Sequence, residues 1–177
     1  MVVLVNEQDQ IVGVLDKTQA HVTGSLHRAF SVFILNSADQ LLLQRRALTK
    51  YHSKGLWSNT CCGHPRPGET IGEASGRRLL EEMGFQTDLR KLFDFTYYAP
   101  LDEGLIEHEF DHVMIGRFED APKPNSDEVM EWKWVDLMVV SKELEDNPTH
   151  YTYWFRISFV PFLQAITLRS NIELRVP

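Results

Sequence analysis

The chain has 177 residues, 43% apolar and 24% charged, which is typical of a soluble globular protein with one buried core. Its net charge of −7 argues against nucleic acid as the partner, because phosphate backbones recruit basic surfaces, but local cations can still bind a small anionic ligand. Without a bilayer-spanning apolar run, a basic signal-peptide region or a disulfide framework, we expect one domain over residues 1–177, a cytoplasmic monomer with no membrane partner.

Short apolar runs separated by polar turn residues predict strands at the start of the chain. They lie at residues 2–5, 11–15, 29–35 and 41–44. We expect the first two runs to form one hairpin and the last two to form another. The polar stretch at residues 45–56 is predicted to be a loop.

The clearest helix is predicted at residues 70–83. Thr70 is a suitable N-cap, and Glu73, three residues later, completes a capping box. Gly84 is positioned to end the helix, because glycine adopts the left-handed conformation at little cost.

Strands and helices alternate in the second half of the chain. Strands are predicted at residues 93–99, 107–118 and 131–135, with a turn at 102–104, and helices at residues 141–145 and 152–168. Strands that bracket a few helices predict an α/β or α+β domain, with a mixed sheet layered with helices.

The strongest motif begins at Gly63. It reads G-x5-E-x7-R-x-U-x-E-E-x-G-U, where U is aliphatic or aromatic, and it resembles the Nudix signature. One position differs, because Arg78 stands where that signature has a glutamate. Glu82, near the helix end, is suited to hold Mg²⁺ against a diphosphate. Arg78 lies one helical turn before Glu82, and its guanidinium can bind phosphate directly.

A second candidate site combines three histidines and two carboxylates. His21 and His27 flank a short loop, His64 follows Gly63, and Glu107 and Glu109 lie two residues apart on a strand and so share one face. Such donors suit a borderline divalent ion such as Zn²⁺ or Mn²⁺, although the sequence leaves open whether the five residues meet. The remaining histidines are interpreted as surface or packing residues: His52, His108, His112 and His150.

Three features together resemble type I isopentenyl diphosphate isomerase: the sequence SNTCCGHP at residues 58–65, an Arg-Arg pair in the Nudix motif, and Glu-His-Glu at 107–109. The resemblance extends from about Val2 to the region of Trp154, and Tyr153 departs from it at a position where proline is usual. It implies a Nudix-like fold and the interconversion of isopentenyl and dimethylallyl diphosphate in isoprenoid biosynthesis. In that reaction a proton is added to the terminal alkene carbon and another is removed from the neighbouring methylene.

The resemblance also implies roles for individual residues. Cys62 and Glu109 would exchange protons with the substrate from opposite faces, with Tyr97 hydrogen-bonded near Glu109. The π-face of Trp154 would stabilise the carbocation. One Mn²⁺ or Zn²⁺ would be held by His21, His27, His64, Glu107 and Glu109. The diphosphate, with Mg²⁺ on Glu82, would contact Lys17, Arg46, Lys50 and Arg78.

Two other functions are weighed against this one. A Nudix hydrolase of a nucleoside diphosphate derivative needs a metal-bound water, but Arg78 removes a carboxylate from the metal cluster and Cys62 would have no use. An inactive binding module would have no reason to keep Cys62, Glu109 and the histidines. Strand alternation predicts that the side chains of Cys61 and Cys62 point to opposite faces. The family motif has its catalytic thiol directly before the glycine, so the resemblance implies that Cys62 faces the site and that Cys61 is a buried apolar residue.

Overall fold

The computed structural model describes the backbone of residues 1–101 and 104–173, and side chains as far as Leu168. The nine strands of these residues are β1 (Val2–Val5), β2 (Ile11–Leu15), β3 (His27–Leu35), β4 (Gln40–Arg46), β5 (Trp57–Ser58), β6 (Cys61–Gly63), β7 (Arg90–Pro100), β8 (Ile106–Arg117) and β9 (Val129–Asp136). The α-helices are α1 (Lys17–Thr23), α2 (Ile71–Met83), α3 (Leu137–Asp146) and α4 (Tyr153–Glu173), and a 3-10 turn spans Pro148–His150.

Strand β3 is the centre of a mixed sheet. It runs parallel to β8, with His27 opposite Glu109, and antiparallel to β1, β4 and β6. Strand β7 extends the sheet from β8, and β9 extends it from β4, both antiparallel. The sequence-predicted mixed sheet is therefore confirmed.

Helices cover both faces of this sheet because side chains of β3 alternate between two apolar clusters. Phe33 packs in one cluster with Phe155 and Phe159 of α4. Val32 packs in the other with Leu79 of α2. Each fully buried side chain of this size stabilises the fold by roughly 1.5–3 kcal/mol. Among the described residues, no helix has the length and apolar character needed to span a bilayer.

Helix α2 forms as its sequence predicts. Thr70 and Glu73 form the reciprocal capping box, and Gly84 ends the helix with φ 75°. A Cβ at Gly84 would lie 2.1 Å from the carbonyl oxygen of Lys123, so the chain after β8 approaches this helix end closely. The amide of Asn125 also donates to the carbonyl of Glu82 at 2.9 Å, which fixes the end of α2 that carries the predicted magnesium ligand.

The loop predicted between His21 and His27 is shorter than expected, because α1 continues through Thr23 and the loop spans only residues 24–26. The side chain of Asp16 accepts a hydrogen bond from the amide of Gln19, and Gly24, with φ 63°, ends the helix. Seven residues are too few for an apolar repeat to reveal the helix in the sequence.

Other predicted boundaries need correction. Strand β4 continues through Arg45 and Arg46, predicted to open a loop, because both pair with β9. Strand β3 begins at His27, two residues before its predicted start, and α3 is longer than predicted at both ends. Of the predicted turn at residues 102–104, the first two residues lie outside the described part of the chain.

Candidate active site

A cavity of about 440 Å³ gathers most of the predicted site residues. Its lining includes Lys17, Arg46, Lys50, Cys62, His64, Arg78, Glu82, Glu107, Glu109 and Trp154. The other predicted residues, His21, His27 and Tyr97, are buried next to this lining. The fold thus brings together residues from three helices, α1, α2 and α4, and from five strands, β3, β4, β6, β7 and β8, which are far apart in sequence.

Four of the five predicted ligands of the histidine site form a tight group, whereas Glu107 is grouped with His21 and His52. His21, His27, His64 and Glu109 offer ligand atoms that all lie within 4.8 Å of one another. The Nε2 atoms of His27 and His64 are 3.2 Å apart, and Nε2 of His64 lies 2.8 Å from Oε1 of Glu109. Convergent imidazole nitrogens beside a carboxylate are a donor set that fits a divalent transition-metal ion.

Hydrogen bonds on the outer side of the group set the tautomers. The Nδ1 atoms of His21 and His27 lie 2.7 and 2.8 Å from the carbonyl oxygens of Lys17 and Ser25. A carbonyl only accepts, so each Nδ1 carries the proton and each Nε2 presents a lone pair to the interior. Metal-binding histidines in proteins are held in this way.

Tyr97 connects the two carboxylates of β8. Its hydroxyl lies 2.8 Å from Oε2 of Glu107 and 2.6 Å from Oε2 of Glu109. Burial, reinforced by the neighbouring Glu109, raises the pKa of Glu107 well above its usual range. Burial also opposes ionisation of Glu109, but hydrogen bonds with His27 and His64 hold its pKa well below that range.

Carboxylates hold two of the predicted phosphate-binding cations in place. Arg78 forms ion pairs with Glu81, Glu82 and Glu128, and Lys50 forms one with Glu128. The predicted shared face of Arg78 and Glu82 is therefore confirmed.

The surroundings of Glu82 fit a magnesium ligand. Its side chain is 3% exposed, and its Oε2 accepts a hydrogen bond of 3.0 Å from Nε2 of Gln44. The amide oxygen of Gln44 is buried without a hydrogen-bond partner among the described residues. Carboxylate and amide oxygens are the donor types that Mg²⁺ takes.

The two cysteines lie on opposite faces of β6, as predicted. Cys61 is fully buried in the apolar cluster beneath α2, whereas Cys62 lines the cavity. Burial raises the pKa of Cys62 to about 12, although Arg46 acts in the opposite sense, so its thiol is protonated at neutral pH.

Trp154 forms part of the same cavity wall. Its indole N–H donates to Oδ1 of Asn59 at 3.2 Å, and the guanidinium of Arg46 lies 5.2 Å from the ring centroid. The ring is 3% exposed, so it offers a largely desolvated π-face.

Sequence reasoning missed two residues of the site. His52, interpreted as a surface or packing residue, is 7% exposed and lines the cavity, with Nε2 3.6 Å from Oε1 of Glu107. Glu128 also lines the cavity and pairs with both Lys50 and Arg78. Neither residue belongs to a spaced motif, and the one signal for His52 is an aromatic pair with Tyr51 inside a polar segment.

Comparison with known proteins agrees with this geometry. The family model of the NUDIX domain matches residues 25–155 of this chain. Isopentenyl-diphosphate Delta-isomerase 1 of Aromatoleum aromaticum is 55% identical over 153 residues, which cover 86% of each chain. The chain belongs to the isopentenyl-diphosphate Delta-isomerase family. Another family member, from Burkholderia multivorans, is 50% identical over 86% of this chain and 87% of its own.

Solved structures show the same Nudix fold as this isomerase-family chain. A protein from Deinococcus radiodurans superimposes with a TM-score of 0.69 at 25% identity, covering 82% of this chain and 89% of its own. A MutT protein from Methanosarcina mazei gives a TM-score of 0.64 at 21% identity, with coverage of 78% and 94%. The predicted fold class, a single α/β domain with a mixed sheet, is confirmed.

Proposed function

We propose that this chain isomerises isopentenyl diphosphate to dimethylallyl diphosphate. Its membership of the isomerase family supports this reaction. The observation that carries the proposal is that one cavity holds Cys62 and Glu109 together with the cations suited to a diphosphate. A hydrolase would have no use for a thiol at that position.

The reaction moves two protons and no other atoms. One proton is added to the terminal alkene carbon, which gives a tertiary carbocation-like species, and one is lost from the neighbouring methylene. Cys62 and Glu109 are the residues we infer to exchange these protons, from opposite faces of the substrate. Because the reaction is reversible, each residue acts as acid in one direction and as base in the other.

The walls of the cavity would protect the cation. Water would capture a carbocation, so a desolvated site is required. The buried ring of Trp154 would stabilise positive charge by about 2 kcal/mol or more through its π-face. Tyr97 would orient Glu109 by its hydrogen bond to the carboxylate.

The cationic end of the cavity would bind the diphosphate. We infer that Lys17, Arg46, Lys50 and Arg78 contact its oxygens, and that Glu82 holds a Mg²⁺ whose positive charge helps to neutralise it. Arg78 and Lys50 would exchange their present carboxylate partners for phosphate oxygens. A guanidinium is well suited to this exchange because it donates two parallel hydrogen bonds.

The histidine group would hold one Mn²⁺ or Zn²⁺, with His21, His27, His64, Glu107 and Glu109 as its ligands. When bound, such an ion supplies a fixed positive charge that tunes the proton affinity of the carboxylate it contacts. The neutral Nε2 atoms of His21 and His27 are already oriented for this purpose by their outer hydrogen bonds.

NMR of isopentenyl diphosphate incubated with the protein and divalent metal would test the function. We expect the proton spectrum to show dimethylallyl diphosphate, while the phosphorus spectrum keeps the diphosphate intact. Release of inorganic phosphate without isomerisation would instead identify a hydrolase. An unchanged substrate that still binds would identify an inactive binding module.

A further inference from the structure

His52 presents a further imidazole nitrogen to the metal-site carboxylates. It lies between β4 and β5, and its side chain is 6% exposed, with Nε2 3.6 Å from Oε1 of Glu107. The ligand atoms of His21, His52 and Glu107 all lie within 4.8 Å of one another. This group has the same types of donor as the histidine group described above, with two imidazoles instead of three beside one carboxylate.

The ring of His52 is held as a metal ligand is held. Its Nδ1 lies 3.1 Å from the hydroxyl oxygen of Ser53, and its backbone carbonyl accepts a hydrogen bond of 3.2 Å from Arg46. The ring also packs edge-on against Trp154, with centroids 5.9 Å apart. These contacts occupy the outer nitrogen and leave Nε2 towards Glu107. The outer partner is a hydroxyl, which can donate or accept, whereas His21 and His27 have backbone carbonyls in this place.

The two groups share one histidine, so they cannot each hold an ion at the same time. His21 belongs to both groups. Its Nδ1 is committed to the carbonyl of Lys17 at 2.7 Å, so a metal could bind only the single lone pair of Nε2, which the hydroxyl of Tyr51 approaches to 3.4 Å. One lone pair binds one ion. Tyr97 also joins Glu107 of one group to Glu109 of the other.

We propose that His52 is a sixth protein ligand of this ion, beside His21, His27, His64, Glu107 and Glu109. The inference deepens the proposed function, because it rests on the metal site used there. Six protein donors would fill the coordination sphere of an octahedral ion and leave no position for water. That would suit a site in which a carbocation must be kept from water.

Metal binding by the protein alone tests the inference. The apoprotein and its His52→Asn variant would be titrated with Mn²⁺, with free Mn²⁺ followed by electron paramagnetic resonance. We expect the variant to bind Mn²⁺ at least roughly tenfold more weakly, since even residues that only orient ligands change affinity by 10–100-fold. His150→Asn is the matched control, because His150 is exposed on the 3-10 turn. Wild-type affinity in His52→Asn would overturn the proposal and leave His52 as a packing partner of Trp154.

A second measurement uses the wild-type protein and so does not depend on whether a variant folds. In protein labelled with ¹⁵N at its seven histidines, long-range proton–nitrogen spectra distinguish metal-bound imidazole nitrogens from free ones. Addition of Zn²⁺ should shift four Nε2 signals, from His21, His27, His52 and His64. Three shifted signals, with His52 unchanged, would overturn the proposal. Both experiments omit substrate, so a failure to isomerise isopentenyl diphosphate would refute the proposed function without changing their outcome.

Discussion

At the scale of single residues, the hydroxyl of Tyr97 connects the two carboxylates of the site by hydrogen bonds. It lies within 2.8 Å of both Glu107 and Glu109, and a single hydroxyl proton serves two acceptors. The two carboxyl groups differ because burial and the neighbouring Glu109 raise the pKa of Glu107, whereas hydrogen bonds with His27 and His64 lower the pKa of Glu109. A proton-transfer site needs such a difference between neighbouring acids.

Replacing Tyr97 with Phe would keep the ring and remove the hydrogen bond. Hydrogen bonds to charged groups contribute about 1.5–3 kcal/mol, so we expect kcat to fall by roughly 10–100-fold with little change in KM. Steady-state kinetics with isopentenyl diphosphate would measure both. Tyr98→Phe is the control, because Tyr98 is 55% exposed on the opposite face of β7. A wild-type kcat in the Tyr97 variant would contradict this role.

Arg78 should govern substrate binding more than chemistry. Arg78→Gln removes the guanidinium that faces the diphosphate end of the cavity, and we expect KM to rise roughly tenfold or more while kcat changes less. Arg117→Gln, which breaks an exposed pair with Asp39, should leave both constants unchanged. An Arg78 variant with lowered kcat and unaltered KM would place this residue in the chemical step instead.

At the scale of the element, helix α2 connects the diphosphate-binding end of the cavity to the rest of the fold. Its N-terminus is fixed by the capping box, and its C-terminus by the residues around Lys123. These contacts position Arg78 and Glu82 in the cavity wall. A substitution that loosens either end of α2 should therefore also disturb the positions of Arg78 and Glu82.

Gly76, within α2, and Gly84, directly after it, give opposite predictions for the effect of alanine on stability. At Gly84 a methyl group would meet the carbonyl of Lys123 at 2.1 Å in a left-handed conformation, whereas at Gly76 nothing lies within 4 Å. We expect Gly84→Ala to lower the free energy of unfolding by about 3 kcal/mol or more. Gly76→Ala should raise it by roughly 0.5–1 kcal/mol. Urea denaturation would measure both, and equal effects would contradict the close approach at Gly84.

The ion pair between Glu69 and Arg77 predicts a pH dependence. The hydrogen bond from Arg77 lowers the pKa of Glu69 from 4.5 to about 2. A depressed carboxyl pKa stabilises the fold above about pH 4.5, and this stabilisation is lost as the pH falls towards 2. Because solvent screens the pair, its contribution should stay within about 1 kcal/mol. Thermal melts of Glu69→Gln and wild type should differ at pH 6 and converge near pH 2. A constant difference across this range would contradict the prediction.

At the scale of the whole molecule, features encoded locally could be predicted from the sequence. The caps of α2, the alternation of Cys61 and Cys62, and the spacing of Glu107 and Glu109 each depend on neighbouring residues. Features that depend on chain segments meeting in space could not be predicted in this way. His52 reaches Glu107 across 55 positions of sequence, and Glu128 reaches Arg78 across 50. The roles of individual site residues, the monomeric state and the cytoplasmic location stay predictions.

Deuterium incorporation tests the central claim most directly. Isopentenyl diphosphate in D₂O with divalent metal would be followed by NMR in the presence of wild type, Cys62→Ser and Cys61→Ser. We expect wild type and Cys61→Ser to yield deuterated dimethylallyl diphosphate, and Cys62→Ser to lose activity by at least roughly 100-fold. An active Cys62→Ser beside an inactive Cys61→Ser would contradict the account, as would wild type that releases phosphate without moving the double bond.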